Sequence, residues 1–358
     1  KKEEDIVFIL GAGASKSCGA PLMCNFLDIA SRLYAEGKVK NEEIHFQNVF
    51  ESISKLQLIH SKAQLDLTNI ESIYTSFEMS LILGKLPGIK AEEIIGLIKS
   101  LKVVIYRTLE ESIKYKVDKH YYIHPPNDYD KFSKTILEIQ SLTPRKNITL
   151  ITFNYDIALD YSLFRNNLIP NYGFIDLNDN SIPLLKLHGS LNWAIRKDNN
   201  EILTLNMREY FQKHSINHPM VAECKVPIAS HLSEYYKKYE NIDVEDEPVI
   251  IPPSWNKLEY QKMIKSIWGK AASALERAEY IFIIGYSMPE TDSFFRLLYA
   301  IGTVGEVLLK KLIIINTDAS DEIKDRFKDI LGPSAISRLV FNINSFEKCF
   351  DQIKHDLT

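Results

Sequence analysis

The stretch Ile6-Val-Phe-Ile-Leu-Gly-Ala-Gly-Ala-Ser15 decides how the chain is read. Its five apolar residues show no polar alternation, as a strand buried on both faces of a parallel sheet requires. The run breaks at Gly11-Ala12-Gly13-Ala14 and ends on the hydroxyl of Ser15, with Gly19 and Pro21 close behind. Glycine at 11 and 13 lets the backbone turn tightly and lets a pyrophosphate approach the amides that open the next helix, whose dipole favours an anion. Ser15 offers a further hydrogen bond to a phosphate. The spacing departs from the common dinucleotide fingerprint, because the third glycine falls at Gly19. Taken alone, the stretch also fits a glycine turn that holds no ligand.

Working outward, further short apolar runs end in polar residues. Asn147–Phe153 stops at Asn154-Tyr155-Asp156, Pro183–Leu187 at His188-Gly189-Ser190, Tyr280–Ile284 at Gly285-Tyr286-Ser287, and Lys311–Ile315 at Asn316-Thr317-Asp318. Val249–Ile251 reads as another short strand. Helical spacing intervenes, as at Ile264, Ile267, Trp268, Ala271 and Leu275, so strands and helices alternate. That alternation predicts an α/β fold with a mainly parallel sheet, and in such sheets ligands bind at the carboxyl ends of the strands.

Two blocks interrupt the pattern. Residues 26–144 carry apolar residues three and four apart, as at Ile94, Leu97, Ile98 and Leu101, and read as a large helical insertion. Residues 196–248 are polar and tyrosine-rich without clear periodicity and read as an irregular insertion. The sheet domain is therefore expected from 1–25 and 145–358.

In 358 residues with 45% hydrophobic and 25% charged content, a soluble globular protein with a substantial core is expected. The net charge of -4 speaks against direct nucleic-acid binding. Cys18, Cys24, Cys224 and Cys349 form no Cys-x-x-Cys pair, so neither a zinc ribbon nor a disulfide scaffold is expected, and no metal is assigned. Nothing approaches the roughly 18 apolar residues of a membrane helix. Ile6–Leu10 follows acidic residues and is too short for a signal-peptide core, so a cytoplasmic location is expected.

Together and in this order, the strand ends resemble the Sir2 (sirtuin) superfamily, and more closely its bacterial Sir2-like branch of NAD-cleaving antiphage proteins. Gly11–Ser15 with Gly19 and Pro21 resembles the cofactor loop. Thr152-Phe153-Asn154-Tyr-Asp156 resembles the family's Thr-Gln-Asn-Ile-Asp motif, and Lys186-Leu-His188-Gly189 its catalytic histidine motif. Gly285-Tyr286-Ser287 resembles its Gly-Thr-Ser motif, and Asn316 the asparagine at the adenosine ribose. The resemblance implies a Rossmann-like domain, with Ser190 and Asp318 beside these motifs in the cofactor site. It also implies NAD as substrate, a homo-oligomer, and a partner such as a HerA-like ATPase or a short Argonaute. Leu22-Met-Cys24 stands where deacylases carry Asp-Phe-Arg, and their two Cys-x-x-Cys pairs are missing; both differences turn the reading from deacylation toward NAD hydrolysis.

Cleavage of the nicotinamide–ribose bond passes through an oxocarbenium-like sugar, as in glycoside hydrolysis. His188 is the candidate base toward a hydroxyl or water. Asn154 would orient that group, and Asp156 would support the loop or positive charge. Asn154 and Asp156 also suit simple turns. The pair His214 and His218 reads as surface, Trp193 and Trp255 as core or lid, and Thr291 or Asp292 as a helix cap. Transfer of ADP-ribose or an acyl group to protein, and NAD binding without turnover, are the alternatives to hydrolysis.

Overall fold

The computed structural model describes residues 4–57, 65–86, 88–142, 146–175, 181–213, 223–251, 258–289, 293–318 and 320–357. Among them, seven strands form one sheet: β1 (Glu4–Leu10), β2 (Lys146–Thr152), β3 (Ile169–Asn171), β4 (Ser181–Lys186), β5 (Ala278–Ile284), β6 (Lys311–Asn316) and β7 (Leu339–Ile343). Their order is β7-β6-β5-β1-β2-β4-β3, and every neighbouring pair is parallel. The fold is thus α/β and Rossmann-like. Its strands are continuous apolar runs because helices cover both faces; in β1 the last five residues are buried. Phe8, at the centre, stacks on Phe282 of β5 at 5.0 Å and meets the edge of Phe132 at 5.3 Å.

From β1 the chain passes to β2 on one side, and from β4 it returns to β5 on the other. The crevice between the ends of β1 and β5 is therefore the topological switch point, where open parallel sheets bind ligands.

Four helices lead the first insertion: α1 (Phe26–Ala35), α2 (Glu43–Gln57), α3 (Ile70–Leu83) and α4 (Ala91–Ser112). Their buried residues share one cluster with Leu205, Tyr210, Val226, Leu232 and Tyr235, so the two insertions build a common second core. Arg107 and Glu110 of α4 both hydrogen-bond Ser230 across that contact. The block 196–248 is correspondingly less irregular than its composition suggests. It contains Ile202–Thr204, paired with Trp193–Ile195, a helix at Met207–Lys213, and Glu223–Cys224, paired with Tyr115–Lys116.

Three further differences from the sequence reading concern the helical block and the strands. Helix α5 (Asn127–Leu142) places Tyr129, Phe132, Ile136 and Ile139 in the sheet's own core, so the block 26–144 divides before α5. Val249–Ile250 pairs antiparallel with Gly189–Ser190 and stands outside the main sheet. Strands β3 and β7, the two edges, carry only three and five residues and were not expected. No helix among the described residues is long and apolar enough to cross a membrane.

Candidate active site

At the switch point the two glycine loops interlock. Gly13 N–H donates to Gly285 O at 2.8 Å, Gly11 N–H to Ile284 O at 3.0 Å, and Ala14 N–H to Gly11 O at 3.0 Å. A Cβ on Gly13 would stand 2.8 Å from Gly285 Cα, and one on Gly285, whose φ is +62°, only 2.4 Å from Ala14 N. These glycines exist because backbone meets backbone there. The expected helix is a short 3₁₀ turn, Ala12–Cys18. The amides of Gly11, Gly13 and Ala14 are spent on carbonyls, so at the cavity edge this loop offers an anion Ala12 N–H, the exposed Ser17 hydroxyl and the exposed side chain of Lys16.

Ser15 is fully buried and serves the protein itself. Its hydroxyl donates to Asp156 Oδ2 at 2.8 Å, lies 2.7 Å from Tyr129 Oη, and accepts from Asn154 Nδ2 at 3.0 Å. Its single proton is on Asp156, so it has none for a phosphate. Asn154 also donates to Gly11 O at 2.9 Å. A carbonyl can only accept, so the amide nitrogen faces inward and both its protons are committed. Asn154 therefore offers the cavity an acceptor, Oδ1, suited to a hydroxyl or a water.

Asp156 accepts from Ala158 N–H at 2.9 Å at the start of α6 (Ala158–Arg165), while its own carbonyl takes Lys186 Nζ at 2.5 Å. Burial raises its carboxyl above the ordinary range against the attraction of Lys186. Lys186 continues to Asp160 Oδ2 at 3.0 Å, and Tyr172 bonds the other Asp160 oxygen at 2.7 Å. Ser190 Oγ donates to Asn192 Oδ1 at 2.6 Å, and Leu191 N–H to Tyr155 O at 2.9 Å, so the 154–156 and 186–191 loops are sewn together. His188, 5% exposed, stands with its ring 5.2 Å from Phe153 and 6.2 Å from Tyr155.

A cavity of about 660 Å³ opens over these strand ends. Of the candidate site residues expected from sequence, it is lined by Ala12, Gly13, Ser15, Pro21, Phe153, Asn154, Asp156, His188, Gly285, Tyr286, Ser287, Asn316 and Asp318; Leu22, Met23, Cys24, Tyr155 and Thr317 line it beside them. The others act behind it. Gly11 and Ala14 shape the loop, and Thr152 Oγ1 donates to Leu10 O at 2.9 Å. Gly19 packs where a Cβ would meet Ser112 O at 2.4 Å, and Gly189 where one would meet Val249 O at 2.1 Å. Trp193 is core. His214, His218, Trp255, Thr291 and Asp292 lie outside the described residues.

Sequence reasoning missed the far wall. Phe26, Ile70, Glu71, Tyr74, Ile105 and Leu109 come from the helical insertion, and Asn344, Ser345 and Glu347 follow the unexpected β7. Helical periodicity marks the former as a face that must be buried but does not say against what. Among the described residues no group of three His, Cys, Asp or Glu could hold a metal.

No known protein family matches the sequence, and no curated protein is detectably similar to it. Among solved structures the chain is similar to a Sir2 homologue in complex with ADP-ribose, at 13% identity and a TM-score of 0.41, covering 99% of this chain and 92% of that one. It is similar to another Sir2 enzyme at 13% identity and TM-score 0.43, covering 99% and 93%. A Sir2 protein bound to a propionylated peptide stands at 13% and 0.39, covering 99% and 93%. These likenesses are distant, and the reading of the site rests on its own geometry.

Proposed function

We propose that the protein is an NAD+ glycohydrolase that cleaves the nicotinamide–ribose bond to release nicotinamide and ADP-ribose. The observation that carries this reading is that the Asn154 acceptor and His188 line one cavity at the switch point, beside the loop that presents Ala12 N–H and Lys16. Water forms the new C–O bond at the ribose carbon as the C–N bond breaks. The electron pair of the C–N bond neutralises the pyridinium nitrogen, so the leaving group needs no acid. Asn154 Oδ1 holds the attacking water or a ribose hydroxyl, and His188 takes the proton released. Ala12 N–H and Lys16 hold the pyrophosphate, with Asn316 and Asp318 at the adenosine ribose.

Nicotinamide release from NAD tests the proposal. Asn154→Ala and His188→Ala should each lower turnover by about 100-fold, the scale of losing one positioned polar or acid–base group. Full activity in both variants, or no release by the wild type alone or with a cognate partner, would overturn it.

The apolar wall from α1, α3 and α4 favours a second reading, in which an acceptor on protein replaces water. Nicotinamide would then appear without matching free ADP-ribose. A role in antiphage defence by NAD depletion, self-association, and a HerA-like ATPase or short Argonaute as partner are proposals that follow from the motif resemblance.

A further inference from the structure

A second concavity, about 460 Å³, lies away from the sheet ends and is bordered by Asp118, Tyr122, His124, Lys134, Arg165 and Asn166. Its carboxylates are spent within the protein. Asp118 accepts from the backbone N–H of His120 at 2.8 Å and of Tyr122 at 3.1 Å, and its other oxygen lies 3.1 Å from His124 Nε2. Asp130 takes Lys134 Nζ at 2.6 Å and Asn166 Nδ2 at 2.9 Å. Arg165 is different. Its guanidinium lies 4.1 Å over the Tyr122 ring, and no described residue hydrogen-bonds or pairs with it. The chain from 116 to 124 forms a hairpin, with Val117 opposite Ile123 and His124 N–H on Lys116 O; exposed Lys116 and Lys119 on it, and Lys131 on α5, likewise have no ion pair among the described residues. Arg165 is thus an unspent cation in a concavity whose carboxylates are already engaged.

The hairpin tip adds an aromatic that packing does not explain. Tyr121 sits at φ +61° and is 55% exposed. A bulky side chain is costly in that left-handed region, where Gly or Asn is favoured, and such strain clusters at ligand sites.

We propose that this concavity and the hairpin tip form a nucleotide-binding site separate from the sheet-end cavity. The free edge of Arg165 takes phosphate oxygens in a bidentate contact, and the Tyr121 ring stacks a base, from single-stranded nucleic acid or a free nucleotide. An acidic peptide would use the cations but leaves the strained, exposed ring without a purpose. The site does not depend on the reaction proposed above, and it departs from the expectation drawn from net charge, which averages over the whole surface.

The test is fluorescence anisotropy of a labelled oligothymidylate of about 15 nucleotides at about 50 mM salt, in which variants of residues outside the sheet-end cavity assign the binding to this site. Tyr121→Asn keeps a residue that tolerates the backbone conformation, so its thermal midpoint should not fall, while affinity drops about tenfold. Arg165→Ala should weaken binding several-fold and reduce the salt dependence by about one phosphate contact. Displacement of the probe by AMP would show that a free nucleotide suffices, and failure of AMP would show that the strand is required; either supports the site. Absence of binding by the wild type, unchanged affinity in both variants, or equal competition by oligoglutamate would overturn it.

Discussion

The loops that meet over the sheet are held in two different ways. Gly11–Ala14 and Gly285 are locked by backbone hydrogen bonds and by the absence of side chains. The loops at 154–156 and 186–191 are held by buried polar side chains, with Ser15, Tyr129, Asp156, Lys186 and Asp160 each bonded to another of the set or to its backbone. The first device tolerates no added volume but makes no chemical demand. The second tolerates isosteric change yet depends on the placing of protons. A sequence motif conceals this difference, since both loops read as polar strand ends.

Adding one methyl group should break the first device most severely. Gly285→Ala would place a Cβ 2.4 Å from Ala14 N at a positive φ, and should destabilise the fold by about 3 kcal/mol in urea unfolding. Gly96→Ala, in exposed mid-α4 with nothing within 4 Å, should instead add about 0.5–1 kcal/mol. Equal effects at both positions would remove the interlocking argument.

The polar device should yield to a single oxygen. Tyr129→Phe removes the hydroxyl 2.7 Å from Ser15 Oγ and 3.5 Å from Asn154 Nδ2, at a cost of about 1 kcal/mol in stability. If the network orients Asn154, nicotinamide release falls several-fold while calorimetric affinity for ADP-ribose holds. A proportional loss of both would mark Tyr129 as structural only.

The smallest effect concerns Asp156. Its folded carboxyl titrates above its unfolded value because of burial, so the folded state binds that proton more tightly. Its contribution to stability is greatest below the unfolded value and is lost as pH rises through the folded one. Asp156→Asn should remove that slope, so that variant minus wild-type stability increases with pH across this window. A difference independent of pH would contradict the assignment.

Much of this was legible in the residues. Ile6–Leu10, Tyr280–Ile284 and Lys311–Ile315 read as buried parallel strands because continuous apolar runs have few other homes, and they are β1, β5 and β6. The polar ends of β1, β2, β5 and β6, and His188 just past β4, do line one cavity. Less was legible where burial comes from distant partners. The edge strands β3 and β7 are short and half-exposed, so they carry little apolar pattern. Ser15 looked like a phosphate donor because sequence shows a hydroxyl without its partners; Tyr129, 114 residues away, and Asp156, 141 residues away, settle where its proton goes.

By itself, the sequence determined the parallel sheet and the set of polar strand ends, since both follow from local apolarity and from where each run stops. Only the tertiary structure decided what those residues do. It set Gly11 and Gly13 against Gly285 as a steric lock, turned Asn154 into an acceptor by engaging its nitrogen, and closed the cavity with α1, α3 and α4. The physical reason is that direction and availability belong to pairs of atoms. A donor is free or spent, and a glycine necessary or idle, only with respect to neighbours that the fold brings from far along the chain.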